Sequence, residues 1–453
     1  MSHHIFFRFS KCLLLLICFS VTAFSQKIRV GVFEVNASPP IGSPVAYAVT
    51  RSITDSLSAR GIVVLSADKP VVLCVVDWIG ISNEGQDRWR RQVAAAAGTT
   101  IDRVSIHTLH QHDAPRCDFT IERIMEEYGL GGRSIDNTFT TDVIQRTAAA
   151  VKKAISNAQV VTAVGWGQAK VDSVASNRRI MDADGNITTR WSSTKDSAMR
   201  AAPEGLIDPW LKCISFWNGN KAIALLTYYT THPQSYYGTG DVTCEFVGIA
   251  RNAIEKQLGI PSIHFNGASG NIAAGKYNDG SAPQRIVLAR HVEEGMKKAW
   301  LNTKKYPLRN ASVAWSNVEV ALPLGANIIE ADLRHRMTND SLNIHEKFRA
   351  AEKLAWYQRS TEGHKVNISS LKLGNIWLLN IPGEAFVEYQ LAAQKMRPQD
   401  VVCTAAYEEY GPGYIGTKAS YFQKGGYETS DIVSGVSPDA ESVLLNAIRT
   451  VLK

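Results

Sequence analysis

Three histidines, an aspartate and a proline crowd one stretch of this chain, His107-Thr108-Leu109-His110-Gln111-His112-Asp113-Ala114-Pro115. Imidazole serves as general base, proton shuttle or metal ligand, and a neighbouring carboxylate can orient it or cap a turn. One histidine alone is a weak signal, so the weight falls on partners from elsewhere. Residues two apart on an extended chain share a face, which groups His110 with His112 and turns His107 away, towards structure. Two further places offer partners: His232-Pro233 ends the apolar run Ala222 to Thr231, and Pro382-Gly383-Glu384 ends the run Ile376 to Ile381. Two imidazoles and a carboxylate suit a divalent cation, zinc above all, and a catalytic zinc keeps one position for water. Behind them, Tyr410-Gly411-Pro412-Gly413-Tyr414-Ile415-Gly416 and Gly425-Gly426-Tyr427-Glu428 set phenols on glycine-rich loops, where ordinary aromatic packing is the alternative use.

The elements that must position these groups alternate between strand and helix. Apolar, β-branched runs predict strands over Ile28 to Val35, Ile62 to Leu65, Val71 to Val76, Arg103 to Thr108, Val160 to Val171, Ser262 to Phe265, Ser312 to Leu322 and Val401 to Tyr407. Hairpins are expected about Asn218-Gly219-Asn220 and about Gly374-Asn375. Helical periodicity marks Gln86 to Ala97, Thr140 to Asn157, Glu245 to Gln257, Arg285 to Trp300 and Asp439 to Val451. Ser52 to Arg60 reads as a short helix closed by Gly61, and Ser341 to Arg359 as a charged, exposed one. The alternation predicts an α/β fold of mixed, largely buried sheets with flanking helices, the candidate ligands lying at strand ends. The polar excursion Asp182 to Pro209 is the kind of insertion that borders a substrate site. Asn266-Gly267-Ala268-Ser269-Gly270-Asn271 places small residues where backbone must come close to a packing partner or a ligand. It lacks Gly-x-Ser-x-Gly, which counts against Ser269 as a nucleophile.

Composition narrows the function classes. At 45% hydrophobic and 20% charged residues, the 453-residue chain is globular in character, which excludes low complexity. Arg8 and Lys11 precede the apolar run Cys12 to Phe19, and small residues lead to an expected cut before Gln26, the pattern of an export signal over residues 1–25. The apolar run is too short to span a bilayer, and no later stretch approaches one. Loss of Arg8 and Lys11 lowers the formal charge of +7 by two, and no basic block interleaves with aromatics, so a nucleic-acid partner is not expected. The cysteines beyond the signal, Cys74, Cys117, Cys213, Cys244 and Cys403, are odd in number and widely spaced. They make neither a disulfide framework nor a CxxC metal site, although one or two bridges fit an oxidising compartment.

Taken in order, these motifs resemble those of the neutral/alkaline non-lysosomal ceramidase family. His110-Gln111-His112-Asp113-Ala114-Pro115 is similar to its His-Thr-His-Ser-Gly-Pro signature, Asn177-Arg178 to its Asn-Arg element, and His232-Pro233 to its second histidine. Gly270-Asn271-Ile272 resembles its Gly-Asp-Val loop, Pro382-Gly383-Glu384 its Gly-Glu turn, and Tyr414 with Thr417, then Tyr427-Glu428, its two C-terminal tyrosine elements. The resemblance implies zinc held by His110, His232, Glu384 and Tyr414 with a water. It places His112 and Arg178 either behind the ligands or facing the substrate, with Tyr427 donating a hydrogen bond; general acid–base chemistry then gives His112 the proton for the leaving group. The implied reaction is attack of a zinc-acidified water on an amide or ester carbonyl, with a ceramide-like N-acyl lipid as one candidate substrate.

Two departures qualify the resemblance. Ala273 stands where the family has a serine near the scissile amide, and the chain stops shortly after the tyrosine motifs, without the family's C-terminal immunoglobulin-like domain. The expectation is therefore one metallohydrolase domain over residues 26–453, secreted or periplasmic, acting on a small-molecule or lipid substrate. A catalytically silent lipid- or glycan-binding protein on the same scaffold is the second reading.

Overall fold

A computed structural model describes residues 27–453; the expected export signal lies outside the described residues. Among those residues, three larger sheets position the histidine cluster and its partners. The first runs Gln159–Val160, Arg29–Asn36, Ser58–Leu65, Val71–Val76, Val104–Thr108, antiparallel except for its last pair. Ser58–Leu65 and Val71–Val76 are buried at every position, because both faces of the sheet are covered. Trp89 and Val93 of the Glu84–Ala97 helix and Val143 and Val151 of Asn137–Ser156 cover one face. The other face packs against Leu211, Ile214 and Leu226 of the second sheet.

That second sheet has the order Ser262–Asn266, Lys221–Tyr229, Trp210–Asn218, Ala163–Lys170, Lys304–Pro307, its first pair parallel. The third runs Val313–Val320, Val366–Leu373, Ile376–Asn380, Val401–Ala405, its last pair parallel. Each sheet thus ends in a parallel edge strand, and the three edges are knitted together in the interior. Ala406 N donates to Asn266 O at 3.0 Å, Thr108 N to Tyr407 O at 3.3 Å, and Asn266 Nδ2 to Leu109 O at 3.3 Å. The carboxyl ends of the three edge strands therefore lie side by side, where open α/β sheets present their ligands.

The helix expected over Ser52 to Arg60 is corrected to strand, Ser52–Ile53 and then Ser58–Leu65. Arg60 is not a solvated helix end. It is buried, its guanidinium meeting Glu34 at 2.6 Å, Glu255 at 2.8 Å and the Ser262 carbonyl at 2.9 Å. Gly61 is a close approach rather than a helix stop, since a Cβ there would fall 2.1 Å from Leu73 O. The charged helix near the C-terminal third spans Ile344–Thr361 and is not exposed on all sides: Phe348, Leu354 and Trp356 are buried. Phe119–Glu127, Glu330–Thr338 and Val387–Met396 are helices that the periodicity did not announce. The five described cysteines are all free and buried, so no bridge forms among them. No described helix is long and apolar enough to cross a membrane.

Candidate metal centre

The chain leaves the Val104–Thr108 strand and turns sharply at His110, whose φ of 64° is rare for a residue with a Cβ. Two bonds hold the strained residue: its N–H donates to Trp78 O at 2.9 Å, and its ring Nδ1 to Ile79 O at 2.8 Å. A carbonyl only accepts, so the Nδ1 carries the hydrogen and Nε2 keeps its lone pair. His232 is built the same way, its Nδ1 donating to Ser269 O at 2.7 Å. The small-residue loop is thus a packing device: Ser269 orients His232, and a Cβ on Gly270 would sit 2.2 Å from Glu384 O.

Gly383, at φ 59°, turns the third sheet's strand end so that Glu384 enters the same space. Glu384 pairs in a short parallel bridge with Tyr414, which sets the two side chains side by side. Tyr410 donates its hydroxyl to Glu384 Oε1 at 2.8 Å, leaving Oε2 to face His232 Nε2 at 3.0 Å and His110 Nε2 at 3.2 Å. The Tyr414 hydroxyl is 3.4 Å from His232 Nε2 and accepts from Arg178 Nη1 at 3.0 Å.

These separations test the fit of a metal. Zinc bonds of 2.0–2.1 Å in a tetrahedron put neighbouring ligand atoms about 3.3 Å apart, and the observed 3.0, 3.2 and 3.4 Å bracket that spacing. Charge points the same way. Burial alone would raise the Glu384 carboxyl, but the adjacent imidazoles hold it well below the usual carboxylate range, while burial lowers the His232 ring. This buried carboxylate stays ionised only with positive charge beside it, carried by a proton on an imidazole or by a cation lying between the three ligand atoms. His110 Nε2 and Glu384 Oε2 are both buried without a hydrogen-bond partner. The imidazoles of His110, His112 and His232 also approach within 4.8 Å of one another, a buried group that could hold a metal ion.

Solved structures share this architecture. The crystal structure of neutral ceramidase from Pseudomonas aeruginosa matches with a TM-score of 0.70, covering 94% of this chain and 74% of that one at 15% identity. A ceramidase complexed with C2 matches with a TM-score of 0.68, covering 94% and 75% at 14% identity. The chain has a ceramidase-like fold. No protein-family model matches it, and no curated protein matches it in sequence.

Within this ceramidase-like fold, a cavity of about 160 Å³ opens over the cluster, and six of the seven expected site residues line it: His110, His112, Arg178, Glu384, Tyr414 and Tyr427. His232 lies one layer deeper, fully buried behind Glu384 Oε2. The His112 ring stacks parallel to Tyr47 at 5.9 Å, and its Nδ1 has no hydrogen-bond partner. Arg178 is fixed by Glu428, whose Oε1 lies 3.3 Å from its Nε. Burial would depress the guanidinium, but Tyr414 and Glu428 keep it firmly charged. Tyr427 packs edge-on against Tyr414 at 5.8 Å, and burial pushes its phenol up to about 12.

Other expectations find their places. His107 is structural, bonding Ala406 O at 2.7 Å and Asn380 Oδ1 at 3.0 Å, and burial lowers its ring to about 4. Asp113 orients no histidine; it accepts from Gly238 N at 2.9 Å and Thr239 N at 3.2 Å, clamping the loop that brings Tyr237 to the cavity. Ala273 is buried and accepts from Ser176 Oγ at 2.8 Å through its carbonyl, outside the cavity lining. The 182–209 excursion does reach the cavity, through Trp191, Ser192 and Ser193.

Four contributors escaped the sequence reading: Tyr410, which holds Glu384; Glu428, which holds Arg178; Tyr407, stacked on His110 at 4.6 Å; and Arg349. Tyr410 and Glu428 stand inside motifs that had been noticed, so their signal was available. Arg349 lies mid-helix in a charged segment and carried none.

Proposed function

We propose that the chain is a zinc-dependent hydrolase of an acyl amide, exported by residues 1–25, with its catalytic site within residues 26–453. One observation carries this reading: two imidazoles, each locked by a backbone carbonyl, aim Nε2 at the same carboxylate oxygen, 3.0 and 3.2 Å away. His110, His232, Glu384 and Tyr414 would hold the zinc, which supplies Lewis-acid polarisation and makes water acidic enough to attack at neutral pH. Of the donors near His110, Glu384 is preferred to His112 as a ligand because its oxygen lies at tetrahedral spacing from both imidazoles.

The remaining groups divide the work. Arg178, charged and braced by Glu428, points an N–H at the Tyr414 oxygen and so stands where negative charge develops as a carbonyl becomes tetrahedral. Tyr427, beside it, supplies a hydroxyl donor for the developing oxyanion. His112, in the cavity wall, takes the proton of the attacking water and delivers it to the leaving nitrogen. The likeness to ceramidases makes an N-acyl lipid a candidate substrate.

Metal analysis of the purified chain is expected to find about one zinc per chain, and His110→Ala or His232→Ala to lose both the ion and amide hydrolysis. A protein that binds no divalent cation when zinc is offered would sink the proposal. Zinc retained without turnover over a panel of acyl amides would point to a silent binding protein instead.

A further inference from the structure

Arg349, on the Ile344–Thr361 helix, brings a second guanidinium to the cavity, and no step of the hydrolysis proposed above uses it. The charged side chains lining that cavity are Glu384, Arg178 and Arg349. Glu384 is committed to the imidazoles, and Arg178 already donates to the Tyr414 hydroxyl and pairs with Glu428, which also holds Arg179. Arg349 shares its carboxylate too, but reaches no other hydrogen-bond partner among the described residues. Glu352 accepts from Arg349 Nη1 at 3.0 Å through one oxygen and from Arg116 Nη1 at 3.1 Å through the other, so one carboxylate faces two guanidiniums. Lys353, the next residue along, is buried on the same side. A guanidinium has five N–H donors, and most of those on Arg349 remain uncommitted. It lines the cavity wall together with the phenols of Tyr410, Tyr427 and Tyr237.

A neutral acyl amide would leave the uncommitted donors of Arg349 unused, since the metal and Arg178 already serve the developing oxyanion. We infer that the substrate is an acyl amide carrying an anionic group, a carboxylate or a phosphate monoester, near the scissile bond, and that Arg349 seats that group. A planar fork of N–H donors suits either anion. The inference rests on the amide hydrolysis proposed for the same site, and its test separates the two.

Ligand-observed NMR on the zinc-loaded chain yields dissociation constants for N-octanoylglycine, N-octanoyl-O-phosphoethanolamine and the neutral N-octanoylethanolamine, with free amine followed in the same spectra. The anionic amides are expected to bind about ten- to a hundredfold more tightly than the neutral one. Arg349→Gln brings both down to the neutral amide's affinity, and the tighter of the two anions distinguishes carboxylate from phosphate. Should that variant fail to fold, Arg349→Lys keeps the charge but not the fork, and the preference is expected to fall at least about threefold. Equal affinities in the wild type overturn the inference, as does a preference that survives Arg349→Gln, which would assign the anion to the metal or to Arg178. An Arg349-dependent preference with no amine released overturns the hydrolase reading and leaves the anion seat standing. Amine release with no preference removes the seat alone.

Discussion

Tyr410 leaves Glu384 with a single free oxygen, and that restriction turns a carboxylate into a directed donor. Groups that orient a ligand without touching the metal commonly set its affinity within a factor of about ten to a hundred. Tyr410→Phe keeps the ring that packs in the wall and removes only the hydroxyl, so zinc affinity is expected to fall by about that factor with the fold intact. Competition against a chelating dye measures it, and an unchanged affinity would show that Oε1 needs no partner. At this scale the sequence was informative where a side chain ends an apolar run. His110, His232 and Glu384 each follow a strand that could only be buried, so their polarity stood out. Tyr410 and Glu428 act through neighbours brought from 26 and 250 positions away, respectively Glu384 and Arg178, and no local pattern encodes such a contact.

Between elements, the tightest constraint is the contact of the Gly270 turn with the strand end that carries Glu384. A methyl group on Gly270 would fall 2.2 Å from Glu384 O and 2.9 Å from Glu384 C, and neither is the end of a flexible side chain. Gly270→Ala must therefore shift one backbone segment against the other, at a cost of about 1–3 kcal/mol. The displacement also spoils the approach of Glu384 to His232. A lower urea midpoint together with reduced zinc content is expected; full metal binding at wild-type stability would mean that the two segments are looser than they look. The strands and hairpins were readable because β-branched runs and Asn-Gly turns are local signals. The first residues of the Ser58–Leu65 strand, up to Arg60, were misread because Arg60 looks like a surface residue until Glu34 and Glu255, on other elements, are seen to neutralise it. The inward face of Ile344–Thr361 was hidden in the same way by its many charges.

Over the whole molecule, buried ionisable groups pull the stability profile in opposite directions. His264, buried beside the Arg251 charge, has its ring lowered from 6.5 to about 3, so it folds neutral. Its contribution is intact above pH 6.5 and is lost as pH falls towards 3, reaching about 2 kcal/mol at pH 5. Asp118 and Glu408 are raised by burial to about 7; their contribution is intact below pH 4 and is lost as pH rises through 7. With the metal removed, urea unfolding at pH 8 and pH 5 should show His264→Gln escaping about 2 kcal/mol of the acid loss that the wild type suffers. Equal losses in both proteins would mean that His264 is not held neutral.

The proposed ligands come from strand ends of all three sheets: His110 from the first, His232 from the second, Glu384 from the third. An ion held there is also a clasp, joining layers already linked by side-chain packing, edge hydrogen bonds and buried ion pairs such as Asp77–Arg251. Unfolding must release it, so free zinc raises stability by about 2.7 kcal/mol at a hundred times its dissociation constant. The melting temperature should climb with the logarithm of zinc concentration in the wild type and stay level in His232→Ala. The site can thus be titrated by heat alone, before any substrate is in hand.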